Sequence, residues 1–512
     1  MNRTFVGELL IFLLLAIGSL AREKSSDTLS LTDGSVLQVN LTNLHDSVPY
    51  MRQVSIKATS NATFNINNIS SSASFIIFQI HTYQHNVTLS YDKDYLNKIS
   101  NKSVFGSNIG LFSRLSENIV TQLFVKNDNV HDVNGLLAVV AYHNKAPIPG
   151  GCNLEFNTEI APYAKVQILD AMVIVDFQPA SVPWNDSVKL TCEKNPVKVE
   201  MYQIFLNEQD FSINSYFVAI TSMLTVTDIK NNGVKVANPV IFSPMRRMFS
   251  AYTGVGSIYV ALATYGNYSA AYVPSFSYAC HPTIDPASCD VLPNLLSKII
   301  CAFCFFVGLL SICFGHHQLK VDMTLPVFFT GTVIGYAAVG DILIAMGIGL
   351  CFTIFWLACQ SYFSIIFSGI MFNMTLGFLF ACVTYFLSPD SFTVLQNNWV
   401  FWSLFMSLAL GLSLIMTIIF EFGFVMTCSI IASFMVILPL DYWIGSALKY
   451  IIINIIRRMT VKGFNLVTVR PPFEANDIAL IIFWLCLVLY RTWKQWCRVG
   501  VLDLAERTPL LR

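Results

Sequence analysis

Behind a short N-terminal leader, the chain divides into a polar half studded with glycosylation sequons and an apolar half that reads as about seven membrane spans. The apolar runs lie near 295–314, 322–339, 341–359, 363–386, 399–419, 422–444 and 477–493, each close to the length that crosses a bilayer as a helix. The second and third are nearly fused: Leu325 to Ala358 is one continuous 34-residue run, too long for an ordinary span. Gly340-Asp341 at its middle is the expected tight turn. The leader has Arg3, an unbroken apolar stretch from Leu9 to Ile17 and small residues at Ser19-Leu20-Ala21. That is the pattern of a signal peptide over 1–21, with the mature N-terminus on the lumenal or extracellular side.

Seven Asn-x-Ser/Thr sequons precede the first span: Asn40, Asn61, Asn68, Asn86, Asn101, Asn185 and Asn267. Their confinement to one half fits exposure in the secretory pathway. Two more, at Asn2 and Asn373, fall in the leader and in a membrane run and are discounted. Of thirteen cysteines, Cys152, Cys192, Cys280 and Cys289 lie in the polar half. An even number in an oxidising compartment predicts two disulfides with three connectivities open. Cys280–Cys289 is favoured as a local clip beside the membrane, which leaves Cys152–Cys192. The other nine read as small buried hydrophobes, and Cys301 and Cys304 lack the second ligand pair a metal site needs.

From 22 to about 292, short runs rich in β-branched and aromatic residues (Ala73–Ile80, Leu136–Tyr142, Ala171–Phe177, Gly256–Ala263) alternate with Asn, Ser, Gly and Pro clusters. This predicts an all-β, sandwich-like ectodomain. Pro147–Gly151 is the best boundary, giving modules at 22–149 and 150–292, with one larger sandwich as the alternative. A helical bundle at 293–493 and a cytosolic tail at 494–512 follow. The histidines His45, His81, His85, His131, His143 and His281 are scattered, so a structural role is favoured over a metal site. No nucleophile elbow, His-Glu-x-x-His or phosphate-cradling glycine loop is present, so neither catalytic nor metal-binding residues nor a cofactor are assigned. Zero net charge gives no field for nucleic acid.

Between Val321 and Gly445 there is no Lys or Arg, so the positive-inside rule is silent for the inner loops. Where it speaks, it objects. Seven spans from a lumenal start leave 446–476 outside, yet this loop holds Lys449, Arg457, Arg458, Lys462 and Arg470 against Glu474 alone. Tyr450 to Arg458 reads as an amphipathic segment lying in the membrane interface. Asp341, Glu421 and Asp441 are the membrane carboxylates that invite a functional reading. Each sits near a span edge, where the ordinary state is a solvated carboxylate at headgroup level. Gly340-Asp341 resembles the Gly-x-Gly-Asp of intramembrane aspartyl proteases, but residue 338 is Ala and no Tyr-Asp partner precedes it. Gly331 and Gly335 predict close helix packing. Glu506, Leu510 and Leu511 fit an acidic dileucine sorting signal, legible to a clathrin adaptor as an extended cytosolic segment.

Phe75–His81 (FIIFQIH), Pro147–Phe156 (PIPGGCNLEF), Ala270–Cys280 (AAYVPSFSYAC) and Glu506–Leu511 (ERTPLL) resemble the seven-transmembrane superfamily member three family. Asp441-Tyr442-Trp443 and Pro472-Phe473 through Asn476-Asp477 extend the match into the membrane half. The resemblance implies a signal peptide, a glycosylated ectodomain, seven spans, and a role in cell survival and homeostasis under secretory-pathway stress, with no established ligand or catalytic residue. The chain departs from the family in its short tail and its minimal loop between spans two and three. Residues and resemblance together predict a non-enzymatic multi-pass protein of the plasma or endolysosomal membrane. Its ectodomain would bind an unidentified protein or small ligand. A transporter or channel using the three carboxylates is the alternative. A G-protein-coupled receptor would need an Asp-Arg-Tyr after span three and an Asn-Pro-x-x-Tyr in span seven, and neither occurs.

Overall fold

The computed structural model describes residues 28–507 apart from 42–47, 69–72, 98–99, 101, 116–120, 153–163, 170, 184–191, 193–195, 239–244, 293, 315–318, 363–364 and 390–391. The first module is two facing five-stranded sheets. One runs β1 (Leu29–Leu31), β3 (Tyr50–Ile56), β10 (Val133–His143), β5 (Ala73–Thr82), β8 (Asn108–Arg114). The other runs β2 (Ser35–Asn40), β4 (Asn61–Asn67), β9 (Thr121–Lys126), β6 (Val87–Ser90), β7 (Ser103–Gly106). Val54, Ile76 and Phe78 from the first sheet meet Val39, Phe64 and Leu89 from the second in one core.

The second module pairs a three-stranded sheet, β11 (Ala164–Ile168), β12 (Met172–Phe177), β15 (Arg246–Ser250), with a larger one. The larger sheet orders β14 (Val234–Val236), β13 (Lys198–Glu208), β16 (Val255–Tyr265), β17 (Tyr268–Ala271), and β18 (Ser275–Ser277) also pairs with β16. Two short helices that the apolar periodicity did not predict, α1 (Ile213–Thr221) and α2 (Val226–Asn232), cover one face of that sheet. Both are capped at the N-terminus, by Ser212 accepting from Ser215 N and Thr225 accepting from Asp228 N, which satisfies amides their few residues leave open. Ile148, in the Pro147–Gly151 stretch, bridges to Ser181.

The modules share apolar surface. In β5, Ile76, Phe78 and Ile80 enter the first module's own core, while Phe75 and Ile77 join Val273 and Ala270 of the second. β10 divides likewise: Leu137, Val139 and Ala141 face inward, Val140 and Tyr142 face the second module. Strands buried on both faces need apolar residues at every position instead of alternate ones. That is why these two segments read as unbroken runs.

Helices make up the C-terminal half: α3 (Leu295–Phe314), α4 (Leu319–Val339), α5 (Ile342–Tyr362), α6 (Ile365–Phe386), α7 (Asn398–Ile418), α8 (Phe420–Ile444), α9 (Tyr450–Thr460) and α10 (Ala475–Arg507). Six of them, α3, α5, α6, α7, α8 and α10, are long and apolar enough to cross a membrane, and Thr324–Val339 of α4 forms a shorter apolar helix. On α3, Leu295, Ile299, Phe303, Phe306 and Leu310 are exposed. They recur at three- and four-residue spacing, a stripe left for lipid, while Gly308 and Ile312 face α8. α8 is the axle: 72% of its span is buried. Between α4 and α5 the chain turns at Gly340, whose φ of +77° suits glycine. A Cβ added at Gly331 would come within 2.7 Å of Phe352, and one at Gly335 within 2.9 Å of Ile348. The small-residue face is therefore what lets these two helices close together.

Candidate functional site

A buried cluster of charged groups lies where the second module meets the bundle. α8 ends at Gly445 in a left-handed conformation (φ +76°), which turns the chain back over the helix end. The amides of Leu448 and Lys449 then donate to Asp441 Oδ1 and Oδ2 at 3.1 and 2.9 Å. Lys449 Nζ reaches Glu208 Oε2, at the end of β13, at 2.9 Å and Asp441 Oδ2 at 3.6 Å, and it also donates to Ser446 O. The side chains of Lys449 and Glu208 are 7% exposed and that of Asp441 is fully buried.

One cation therefore sits between two buried carboxylates, and it can compensate only one of them. Burial opposes the charge on Lys449, but Asp441 and Glu208 outweigh it and hold the ammonium above its ordinary value. The surplus falls on Glu208. Desolvation pushes its carboxyl up to about 7 against the opposing pull of Lys449, with Asp441 and Glu474 adding to the rise.

A second set of contacts surrounds this cluster. Asp477, 1% exposed, accepts from Ser446 Oγ at 2.8 Å, Ala447 N at 2.7 Å and Glu474 N at 2.7 Å. It thereby ties the start of α10 to the end of α8. Arg457 donates to Ala251 O at 2.7 Å, Ser250 Oγ donates to Asn454 Oδ1 at 3.1 Å, and Thr253 N donates to Tyr450 Oη at 3.0 Å. Thr468 forms a single parallel bridge with Phe249, so the loop after α9 lies along β15. Arg458 lies 3.7 Å over the Phe401 ring and donates to Leu395 O of the α6–α7 loop, a desolvated cation–π geometry.

These contacts bear on three of the five basic residues of the 446–476 loop. Lys449, Arg457 and Arg458 are committed to protein groups, two of them on the ectodomain. They correct one expectation. α9 is not a segment floating in the membrane interface: Tyr450, Ile451, Ile452, Asn454, Ile455 and Arg458 are buried between module and bundle. It is a bracket with protein on both sides.

The three membrane carboxylates separate. Asp341 is exposed and caps α5 by accepting from Leu343 N and Ile344 N. Glu421 is exposed in the first turn of α8. Asp441, expected to be solvated at headgroup level, is sealed in the cluster. Glu208, Lys449 and Asp477 were not assigned from sequence. Their signal was the violation itself, a basic loop on the ectodomain side, but its acidic partner Glu208 lies 241 residues away from Lys449.

Cys152 is bonded to Cys192 and Cys280 to Cys289. Asn40, Asn68, Asn86 and Asn267 are exposed, and Asn61 is half-buried in β4; Asn101 and Asn185 lie outside the described residues. The discounted Asn373 is buried in the bundle, donating to Thr417 Oγ1 and accepting from Thr427 Oγ1. His85 and His131 do come together, with ring nitrogens 3.1 Å apart. His81 is buried at the module seam beside Asn108 and Gln79. His143 stacks on Tyr268 and His281 is exposed, while His45 lies outside the described residues. Among the described residues no group of three His, Cys, Asp or Glu could hold a metal. α10 continues past Trp493 to Arg507, so Glu506 of the sorting signal is helical and not extended; Leu510 and Leu511 lie outside the described residues, as does the leader.

Comparison with known proteins agrees with this layout. Family models for a TM7SF3-like N-terminal immunoglobulin-like domain match residues 42–142, and for a TM7SF3-like second immunoglobulin-like domain 147–283. A TM7S3/TM198-like domain matches residues 301–496. Transmembrane 7 superfamily member 3 of Homo sapiens is 27% identical over 444 residues, covering 82% of this chain and 77% of that protein. Its counterpart in Mus musculus is 25% identical over 494 residues, covering 87% and 86%.

Proposed function

This chain belongs to the TM7SF3-like family, and from that premise we propose that it is a non-enzymatic, seven-crossing membrane protein whose glycosylated ectodomain recognises a partner and passes the event to the bundle. The observation that carries the reading is the Glu208–Lys449–Asp441 cluster. It joins the ectodomain to the end of the most buried helix, so the second module cannot tilt without disturbing α8, α9 and α10.

The seven-crossing reading is supported by which helix ends touch the ectodomain. Lys298 near the start of α3 pairs with Asp290 at 2.7 Å. The end of α6 and the 446–476 loop lie against the second module. α4 has 21 residues, about 31 Å at 1.5 Å per residue, of which Thr324–Val339 is apolar. With α4 and α5 counted as a hairpin the reading has seven crossings, and Arg507 would then lie opposite the ectodomain, in the cytosol. There Glu506, Leu510 and Leu511 would be open to a clathrin adaptor. An epitope after Arg512, stained in cells with only the plasma membrane opened, tests this. A tag reached only after internal membranes are opened overturns it.

The recognition role is the part that serves cell survival and homeostasis under secretory-pathway stress. Cells lacking the chain should survive inhibition of protein glycosylation poorly. Wild type should rescue them, and Lys449→Met delivered to the same membrane at the same level should not. Equal survival with and without the chain defeats the reading. The transporter alternative gains nothing from the geometry. Asp341 and Glu421 are exposed, and Glu421 and Asp441 sit at opposite ends of α8.

A further inference from the structure

At one end of the first module, away from the charged cluster, two histidines from separate loops meet. His85 lies in the 83–86 loop between β5 and β6, and His131 in the 127–132 loop between β9 and β10. His131 Nε2 is 3.1 Å from His85 Nε2 and 3.2 Å from His85 Nδ1. The ring centroids are 4.2 Å apart and the planes cross at 65°. A donor aimed between two nitrogens, instead of along one lone pair, makes a poor hydrogen bond to either. Hydrogen bonding therefore does not account for two imidazoles brought this close.

The loops hold them there. Asn127, fully buried, donates from Nδ2 to Lys57 O and His131 O, both at 3.1 Å, and accepts from Asn129 N at 2.9 Å. Asn129 Nδ2 in turn donates to Asn86 O at 2.9 Å, which ties the loop of one histidine to the residue beside the other. Thr82 Oγ1 donates to His85 O. Both histidine carbonyls are thus held by side chains, and the two backbones are positioned before anything binds.

The separation is that of two nitrogens on one metal ion. Bonds of about 2.0–2.1 Å put two imidazole nitrogens roughly 2.9 Å apart at a right angle and roughly 3.4 Å apart at the tetrahedral angle. His131 is exposed and His85 half-buried, so the His85 ring can turn about its Cβ–Cγ bond until one lone pair points at the ion. The neighbouring carboxylates are already taken. Asp132 accepts from Lys57 Nζ at 2.6 Å and from Ala58 N at 3.0 Å, and Asp128 pairs with Lys126.

We propose that His85 and His131 together bind one divalent transition-metal ion of the imidazole-preferring class, zinc or copper, with water at its remaining positions. Two protein ligands are fewer than the four of a closed structural site, so the ion is exchangeable and the module folds without it. A pair of nitrogen donors selects this class over magnesium and calcium, which take oxygen ligands.

The test uses the purified full chain with its glycans, because the Asn86 sequon adjoins His85, and without a polyhistidine tag. Diethyl pyrocarbonate acylates neutral imidazole nitrogens, and peptide mass spectrometry reads each histidine separately. Zinc should protect His85 and His131 with one common midpoint. His143 and His281 should keep their labelling, and magnesium at the same concentration should protect neither member of the pair. His131→Gln should raise the zinc midpoint at His85, and His85→Gln that at His131. Each shift should be at least the roughly tenfold that an outer contact to a metal ligand carries. Each variant reports on the other histidine, so one serves if the other does not fold. No protection at millimolar zinc overturns the proposal and leaves edge-to-face ring packing alone. A His85 midpoint unchanged in His131→Gln overturns it as well, because the zinc is then an adventitious ion only, on a single imidazole. Equal protection by magnesium overturns the class of metal.

Discussion

The ectodomain is held at two seams built on opposite principles. Between the modules, Phe75, Ile77, Val140 and Tyr142 meet Ala270 and Val273 in a dry apolar contact. Its polar members are uncharged: His81 with Asn108 at 2.9 Å, and Tyr216 Oη with Asn108 Oδ1 at 2.7 Å. Between the second module and the bundle, the contact is organised by charge, with Lys449 between Glu208 and Asp441 and with Arg457 on Ala251. Apolar area is non-directional and tolerant of small shifts. A buried charge set is not: it holds in one arrangement and fails steeply when a member is lost. The first seam joins the two modules, and the second ties the second module to the bundle.

The sharpest way to break the comparison is Lys449→Met. It leaves two buried carboxylates without a cation, and removing one member of a buried pair costs about 3–5 kcal/mol. Hydrogen exchange should rise across 446–476 and the end of β13 while the module seam stays protected. Protection unchanged at 446–476 would show that the cluster does not hold the ectodomain down. Ile77→Ala should do the reverse. Truncating a fully buried isoleucine costs about 2–4 kcal/mol, and protection should fall at β8, β10 and β17 but not at α9. If both variants loosen the same residues, the seams are one cooperative unit and the distinction collapses.

Next in size is the clip that leads into α3. Cys280 and Cys289 are 9 residues apart, Cys152 and Cys192 40 apart. Loop closure predicts about 2.5 kcal/mol for the shorter bridge against about 4 for the longer. Replacing the shorter pair with serine should nonetheless be the change felt at the second seam, because Asp290 beside it accepts from Tyr442 of α8 at 2.9 Å. A thermal shift without altered exchange at α8 would confine the clip to the ectodomain.

The two seams also differ in how far they are legible in the sequence. The apolar one is written locally: β5 and β10 are runs without alternation, and a strand with no polar face must be covered twice. What the runs do not say is which surface covers them, since any apolar partner satisfies the pattern. The apolar helices were equally local: six of them match predicted runs, while Thr324–Val339 of α4 is a shorter apolar helix and α10 runs on to Arg507. The charged seam is spread over Glu208, Asp441, Lys449 and Asp477, and no periodicity links them. Asp441 at a span edge looks like any solvated carboxylate until Gly445 folds the backbone amides onto it. α1 and α2 were hidden for another reason, since nine and seven residues are too few to establish a helical apolar period.

Acid should separate the seams most cleanly, with effects of roughly 1–3 kcal/mol at each. Burial lowers His81 to about 4 from 6.5. Between those values the unfolded chain binds the proton and the folded one does not, so the module seam loses stability as pH falls from 6.5 towards 4. Glu208 runs the other way. Its carboxyl is at about 7 in the cluster against 4.5 free. Across that window the folded state holds the extra proton, so stability is fully present below 4.5 and is lost as pH rises through 7. Protonated Glu208 leaves Lys449 to Asp441 alone, one charge against one. Ionised Glu208 restores two carboxylates to a single lysine. Acidification from 8 to 5 should therefore raise exchange protection at 446–476 and lower it along β5. Glu208→Gln should flatten the first response only, and His81→Gln the second only. A common pH profile at both seams in wild type, untouched by either variant, would mean that neither group governs its seam.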